Sequence, residues 1–397
     1  MTAFDEARLG RLREVLRWHT WRGNVPGLVG AVSRRGDTRV EAAGVRARGG
    51  GPVERDTIFR IASMTKPVTA VAAMILVEEC RLRLDDPVDE LLPEMANRRV
   101  LTRLDAPLDD TVPAHRSITA RDLLTFRFGY GMFFGSPERY PIVRAANELG
   151  MAIGPPTPGT TPPPDELIRR LGTLPLMYQP GERWQYNTGS DVLTVLIARA
   201  AVQPFDAFLR ERIFEPLGMR DTAFHVPAEK VGRFTDNHGI DFQTGADIVY
   251  DPAEGGQWNQ PPAFPSGAGG LVSTIDDYLT FGQMMLNGGR LGEVRIISRP
   301  SVELITTDHL TAGQRSHGFD TTYFETHGWG FGVAIQTVRE GLESVGTYGW
   351  DGGLGTIWRN DPREGMVAVL LTSRSFTSPS PLYARDFLTA AYQAIED

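Results

Sequence analysis

In Phe59-Arg60-Ile61-Ala62-Ser63-Met64-Thr65-Lys66-Pro67-Val68-Thr69-Ala70-Val71-Ala72-Ala73-Met74-Ile75-Leu76-Val77, a short strand over 57–61 gives way to a helix that is apolar on nearly all sides and therefore buried. Pro67 fits the first turn of that helix, where a backbone N–H has no intrahelical acceptor. Ser63 and Lys66 stand at the junction. On a helix, residues three apart share a face, with Cβ atoms about 5–6 Å apart, so the lysine amine reaches the serine hydroxyl. A helix N-terminus favours developing negative charge, and desolvation makes a buried lysine lose its proton more readily. This is the Ser-Lys form of an activated nucleophile. Taken alone, the string also fits a capping serine followed by an exposed lysine. Lysine is otherwise almost absent, since Lys230 is the only other one among 41 basic residues. Lys230 reads as a surface residue, whereas Lys66 opens an apolar helix.

Working outward, 27–33 and 38–43 read as two strands joined by a turn at 34–37, a hairpin. Before them, 1–20 interleaves charged and apolar residues as an amphipathic helix, with no apolar core of a signal peptide. At the other end, 330–338, 344–349, 354–359 and 366–372 read as strands in antiparallel hairpins, followed by a helix over 382–395. Between these ends, helix patterns at 121–125, 165–171, 191–201 and 276–286 alternate with long loops, among them the six-proline loop 154–164. The fold class expected is α/β in the α+β sense: an antiparallel sheet built from both chain ends, flanked by helices, plus a mostly helical insertion. The division expected is 1–80 with 290–397 for the sheet, and 81–289 for the helical part.

Composition removes several functions. The 397 residues, 41% apolar and 23% charged, describe an ordinary globular chain. A formal charge of −8 offers no basic footprint for nucleic acid. Cys80 is the only cysteine, so neither an intrachain disulfide nor a multi-cysteine metal site is available. The longest apolar run, 71–77, falls far short of the roughly 20 residues a membrane span needs; no membrane association and a cytoplasmic location are expected. Neither His-Glu-x-x-His nor Gly-x-Ser-x-Gly occurs, and no Gly-x-Gly-x-x-Gly follows a strand. No metal or nucleotide cofactor is expected. The seven histidines, His317 among them, sit in no triad context, and acid pairs such as Asp85-Asp86 and Asp276-Asp277 read as turn or cap residues.

Two further places can carry chemistry. Trp184-Gln185-Tyr186-Asn187-Thr188-Gly189 joins a turn to the 191–201 helix, a junction from which Tyr186 can project its hydroxyl into a cleft. It could act as a base only where nearby cations stabilise the phenolate; it also fits a core tyrosine. Tyr348-Gly349-Trp350-Asp351-Gly352-Gly353-Leu354-Gly355 lies between two strands, and backbone without side chains there lets a substrate carbonyl meet a main-chain N–H. A glycine-rich bulge reads the same.

Together these residues resemble the serine beta-lactamase and penicillin-binding-protein superfamily, most closely its class C-like esterases, the family VIII carboxylesterases. The markers run in order from Phe59-Arg60-Ile61-Ala62-Ser63-Met64-Thr65-Lys66 through Leu82-Arg83-Leu84-Asp85-Asp86-Pro87-Val88 and Arg121-Asp122-Leu123-Leu124-Thr125. They continue with Pro180-Gly181-Glu182-Arg183-Trp184-Gln185-Tyr186, Pro216-Leu217-Gly218-Met219-Arg220-Asp221-Thr222 and Gly269-Gly270-Leu271-Val272-Ser273-Thr274. The resemblance implies that Ser63 is acylated, that Lys66 and Tyr186 share the proton transfers, and that the N–H groups of Ser63 and Gly353 form an oxyanion hole.

Departures from the pattern sort the activity. Class C beta-lactamases have Tyr-x-Asn at the second motif; here the third position is Thr188, with Asn187 beside the tyrosine. Where lactamases and peptidases have Lys-Thr-Gly, this chain has Trp350-Asp351-Gly352, so the ammonium that would meet a substrate carboxylate is missing and Asp351 would repel one. The segment Phe126-Arg127-Phe128-Gly129-Tyr130-Gly131-Met132-Phe133-Phe134 supplies aromatics for an acyl or alcohol pocket wall, Phe126 and Tyr130 among them, or for packing. The reading that results is a serine carboxylesterase acting on short-chain, small-molecule esters. An acyltransferase, a weak beta-lactamase or D,D-peptidase, and a non-catalytic binding protein remain as alternatives. Monomer and homodimer both remain open.

Overall fold

The computed structural model describes residues 3–47, 49–151, 154–241, 243–315, 322–378 and 381–396. Met1 and Thr2 of the expected first helix, and His317, lie outside the described residues. The first helix, α1 (Glu6–Trp21), starts where the Asp5 side chain accepts the Arg8 N–H at 2.9 Å, a side-chain cap on an otherwise unpaired donor.

Seven strands form one antiparallel sheet: β1 (Gly27–Arg34), β2 (Asp37–Gly44), β3 (His327–Trp329), β4 (Ala334–Gln336), β5 (Tyr348–Gly352), β6 (Thr356–Asp361) and β7 (Met366–Thr372). Their spatial order is β3-β4-β5-β6-β7-β1-β2, so the two chain ends meet at β1 and β7, with Leu28 opposite Thr372 and Arg34 opposite Met366. Side chains alternate across a strand. Leu28, Val32, Met366, Ala368 and Leu370 therefore pack on one face with Leu12 and Leu16 of α1 and with Phe387 of α5 (Leu382–Gln393). Val29, Ala31, Val367, Val369 and Leu371 face the other way, into the main core with α2 (Thr65–Glu78). Two covered faces explain why β7 reads as an unbroken apolar run. Gly30 lets the first layer close, because a Cβ there would come within 2.9 Å of the Phe387 ring and 3.0 Å of Leu16.

Two expectations need correction. The stretch 330–338, read as one strand, turns back on itself: Gly332 adopts φ +67° and the Gly330 N–H donates to Val333 O at 2.8 Å, closing the β3–β4 hairpin. Helix α4 (Ile275–Leu286), placed within the helical segment 81–289, packs on the sheet instead. Its Gly282 O accepts from Asn360 Nδ2 of β6 at 2.8 Å. An apolar helical stripe reveals that a helix packs, not what it packs against. In the segment between α2 and α4, α3 (Thr188–Ala201) crosses α2 and shares the main core with it. No single helix among the described residues is long and apolar enough to cross a membrane.

Candidate active site

Residues Phe59–Arg60 pair with Val272–Ser273, and the strand is anchored by the buried Arg60, whose guanidinium binds Asp251 and donates to Thr235 O at 2.6 Å. Ala62 then takes φ +43°, a left-handed conformation that costs a residue with a Cβ roughly 1–2 kcal/mol. This bend turns the chain from the strand into the start of α2. Ala62 and Met64 are buried while Ser63 stays half exposed.

The capping-serine alternative does not hold: no side chain caps α2, and Lys66 is 1% exposed. Its Nζ donates to Ser63 Oγ at 3.0 Å and to Ala268 O at 2.5 Å, and lies 4.5 Å from the centre of the Tyr186 ring. Burial pulls the lysine pKa down to about 7, against the opposing pull of the Asp191 charge. Asp191 stands in the first turn of α3, accepts from Ser266 Oγ at 2.6 Å, and has its own pKa raised by burial.

Neither Asp191 nor Ala268 was singled out from the sequence. An acid in the first turn of the helix that follows Tyr186 was the available signal for the former. For Ala268 it was the strip Gly267–Gly270, wedged between the two helices: Thr69 Oγ1 donates to Gly267 O at 2.8 Å, and the Gly267 N–H donates to Thr194 Oγ1 at 2.9 Å.

Tyr186 is clamped by its backbone. Its O accepts from the Met132 N–H at 2.8 Å, and the Gln185 N–H donates to Phe126 O at 2.7 Å. Asn187, at φ +82° and ψ −67°, is the centre of a γ-turn in which the Thr188 N–H donates to Tyr186 O at 3.2 Å. Asparagine suits that position because it tolerates positive φ better than most residues. Its side chain makes no hydrogen bond among the described residues, so its visible part is played by the backbone. The Tyr186 hydroxyl accepts from Trp350 Nε1 at 2.7 Å and shares a hydrogen bond with Ser63. Burial pushes the phenol far above its ordinary pKa, and these two hydrogen bonds pull it partly back.

The aromatic segment packs rather than lining a wall at the two positions singled out. Phe126, fully buried at φ +58°, sets its ring edge-on to Tyr186 at 5.8 Å and lies 5.2 Å from Trp329. Tyr130, 5% exposed, belongs to the main core. A run of aromatics has the same sequence signature in either setting.

Strand β5 brings the third motif to the same place. Asp351 does not stand bare: Arg359 on β6 binds it, with Nη2 3.0 Å from Oδ2, so its charge is taken up within the sheet. The expected repulsion of a substrate carboxylate is correspondingly weakened. Thr356 Oγ1 donates to Ile61 O at 3.0 Å, and a Cβ on Gly352 would overlap that same oxygen. Only glycine allows this approach, which sets Gly353 beside the Ser63 turn. A Cβ on Gly353 itself would meet open space, and Phe376 N–H fixes its carbonyl at 2.9 Å. The backbone N–H groups of Ser63 and Gly353 donate to no protein group among the described residues. No three His, Cys, Asp or Glu side chains among those residues converge as a metal site.

A serine hydroxyl held by a neutralisable lysine and a phenol, between an antiparallel sheet and a helical layer, is the arrangement of the serine hydrolases that share the beta-lactamase fold. The chain matches the beta-lactamase family over residues 11–393 and belongs to that family. The resemblance to its family VIII carboxylesterases is upheld by esterase EstB of Burkholderia gladioli, 30% identical over 389 residues, which span 92% of this chain and 91% of EstB. Protein Rv1367c of Mycobacterium tuberculosis is 39% identical over 330 residues, 81% of this chain and 79% of that protein. The solved structure of EstCE1, described as a hydrolase with promiscuous acyltransferase activity, superposes with a TM-score of 0.81 at 25% identity, covering 97% of this chain and 99% of that one.

Proposed function

We propose that the protein is a serine carboxylesterase that hydrolyses short-chain, uncharged esters through an acyl-enzyme on Ser63. The observation that carries this reading is the 3.0 Å contact from Lys66 Nζ to Ser63 Oγ, made by a buried lysine whose proton is held only to about pH 7. Near neutral pH a large fraction of Lys66 is therefore free amine, whereas Tyr186 stays a phenol. This supports the lysine as the base. Lys66 takes the Ser63 proton as Oγ attacks the ester carbonyl. The resulting oxyanion is received by the N–H groups of Ser63 and Gly353. As the carbonyl re-forms, the C–O bond to the alcohol breaks, Tyr186 passes its proton to the departing oxygen, and the Lys66 ammonium restores the tyrosine. In the second half the same groups remove a proton from water, which attacks the acyl carbonyl and frees Ser63.

An uncharged ester fits because Trp350 occupies the place where a substrate-binding ammonium stands in lactamases and peptidases. That EstB and the lovastatin esterase of Penicillium rubens, 28% identical over 344 residues, are esterases supports ester substrates. Transfer of the acyl group to an alcohol is the second reading, favoured by the acyltransferase activity named for EstCE1. Turnover of p-nitrophenyl acetate and butyrate, run beside nitrocefin with and without added alcohol, tests both. Ester cleavage that exceeds nitrocefin cleavage and vanishes in Ser63→Ala supports the esterase; dominant nitrocefin cleavage overturns it. An alcohol-dependent burst of ester product would assign transfer.

A further inference from the structure

Away from the nucleophile, a cavity of about 390 Å³ is lined by Asp85, Arg116, Arg121, Asp122, Arg127 and Gln314. We propose that it is a second ligand site, one that takes a small carboxylate on Arg127. Two of its three guanidiniums are already committed. Arg116 grips Asp122 through both terminal nitrogens at 2.5 and 2.9 Å, and Arg121 grips Asp85 through Nε and Nη2 at 2.6 and 2.8 Å.

Arg127 has no carboxylate at ion-pair distance among the described residues. Its Nε donates to Thr125 Oγ1 at 2.9 Å and its Nη1 to Gln314 Oε1 at 3.2 Å, both neutral acceptors, while Nη2 donates to none of the described groups. Among the described lining residues, three cations against two anions leave one positive charge, half-buried. Burial destabilises that charge and the neighbouring Arg121 and Arg116 add to the effect, against the opposing pull of Asp122 and Asp85. A group in this position gains from an anion.

The frame is rigid before any ligand arrives. The Arg127 N–H donates to Asp122 O at 2.7 Å, its carbonyl accepts from the Gly181 N–H at 2.6 Å, and Gln314 is pinned by Nε2 to Gly181 O at 2.7 Å and by the Thr311 N–H on Oε1 at 2.9 Å. Little ordering is left to oppose binding. The end-on fork of Nη1 and Nη2 matches the two oxygens of a carboxylate. A single surplus charge selects a monoanion, since a phosphate dianion would leave one charge uncompensated beside Asp85 and Asp122.

Calorimetric titration of acetate and of inorganic phosphate, at constant ionic strength into protein labelled on Ser63 by a fluorophosphonate, tests the site with the reaction centre blocked. Saturable acetate binding is expected, weakened at least tenfold in Arg127→Gln and also weakened in Arg127→Lys, which keeps the charge but loses the fork. Asp85→Asn, which releases Arg121, should tighten binding several-fold, and it serves as the readout should Arg127→Gln fail to fold. Ester turnover of unlabelled Arg127→Gln should stay within twofold of wild type. Equal acetate affinity in wild type and Arg127→Gln, no tightening in Asp85→Asn, or phosphate binding more tightly than acetate would each overturn the assignment.

Discussion

Replacing Trp350 by phenylalanine removes one hydrogen-bond donor and keeps most of the aromatic body that packs 4.6 Å from Trp329 and 5.5 Å from Tyr186. The donor lost is the indole Nε1, 2.7 Å from the Tyr186 hydroxyl oxygen. In the ground state that oxygen belongs to a neutral phenol. As Tyr186 hands its proton to the departing alcohol, the oxygen becomes anionic and the same N–H gains strength. A neutral hydrogen bond contributes about 1 kcal/mol net and one to a charged group about 1.5–3 kcal/mol, so the difference, about 0.5–2 kcal/mol of transition-state stabilisation, should disappear. That corresponds to a roughly 2- to 30-fold loss of rate.

Only esters whose alcohol needs the proton should feel this loss. The assay compares kcat/KM, which reports acylation, for an alkyl acetate and for p-nitrophenyl acetate, whose leaving group departs as its anion. The alkyl ester should slow by that factor and the p-nitrophenyl ester hardly at all. Equal slowing of the two esters, or no slowing of either, would refute proton donation by Tyr186 under Trp350 control.

Asp191→Asn keeps a hydrogen-bond acceptor for Ser266 and removes the charge that raises the Lys66 pKa. The acid limb of the kcat/KM profile should therefore move to lower pH than in wild type, as read from initial rates between pH 5 and 9. An unmoved limb would detach it from Lys66. Lys66→Met should lower ester turnover by about 100-fold or more, the scale of losing a general base. The same variant should unfold at a higher temperature than wild type. Because the folded pKa of about 7 lies below the ordinary 10.5, the unfolded chain holds the proton more tightly between those values, and wild-type stability rises with pH across that window. The advantage of the variant should be largest below pH 7 and shrink toward pH 10, as followed by thermal melts.

The parts of this molecule legible in the sequence are those decided locally. Ser63 and Lys66 share a face by helical spacing alone, and β1 and β7 declare themselves because both faces of each are covered. Contacts made between distant segments were not legible. Ala268 reaches Lys66 only through the strip between α2 and α3. Asp351 loses its bare charge because the strand register sets Arg359 opposite Gly349, on the same face as Asp351 two residues along and within reach of its carboxylate. Phe126 and Tyr130 could be recognised as aromatic, but which side of Tyr186 they occupy is a matter of chain path: a positive φ at Phe126 turns its ring behind the tyrosine. Asn187 reads in the sequence as a displaced motif residue, yet its visible part is the γ-turn that aims Tyr186.

In this mechanism Ser63, activated by Lys66, carries the acyl group. Fluorophosphonate labelling at pH 8, followed by peptide mapping and run beside butyrate-ester turnover for wild type, Ser63→Ala and Lys66→Met, is the decisive test. A single stable adduct on Ser63 is expected in wild type, none in Ser63→Ala, slow labelling in Lys66→Met, and turnover that falls in step with labelling. Label on another residue, or ester turnover that survives in Ser63→Ala, would contradict it.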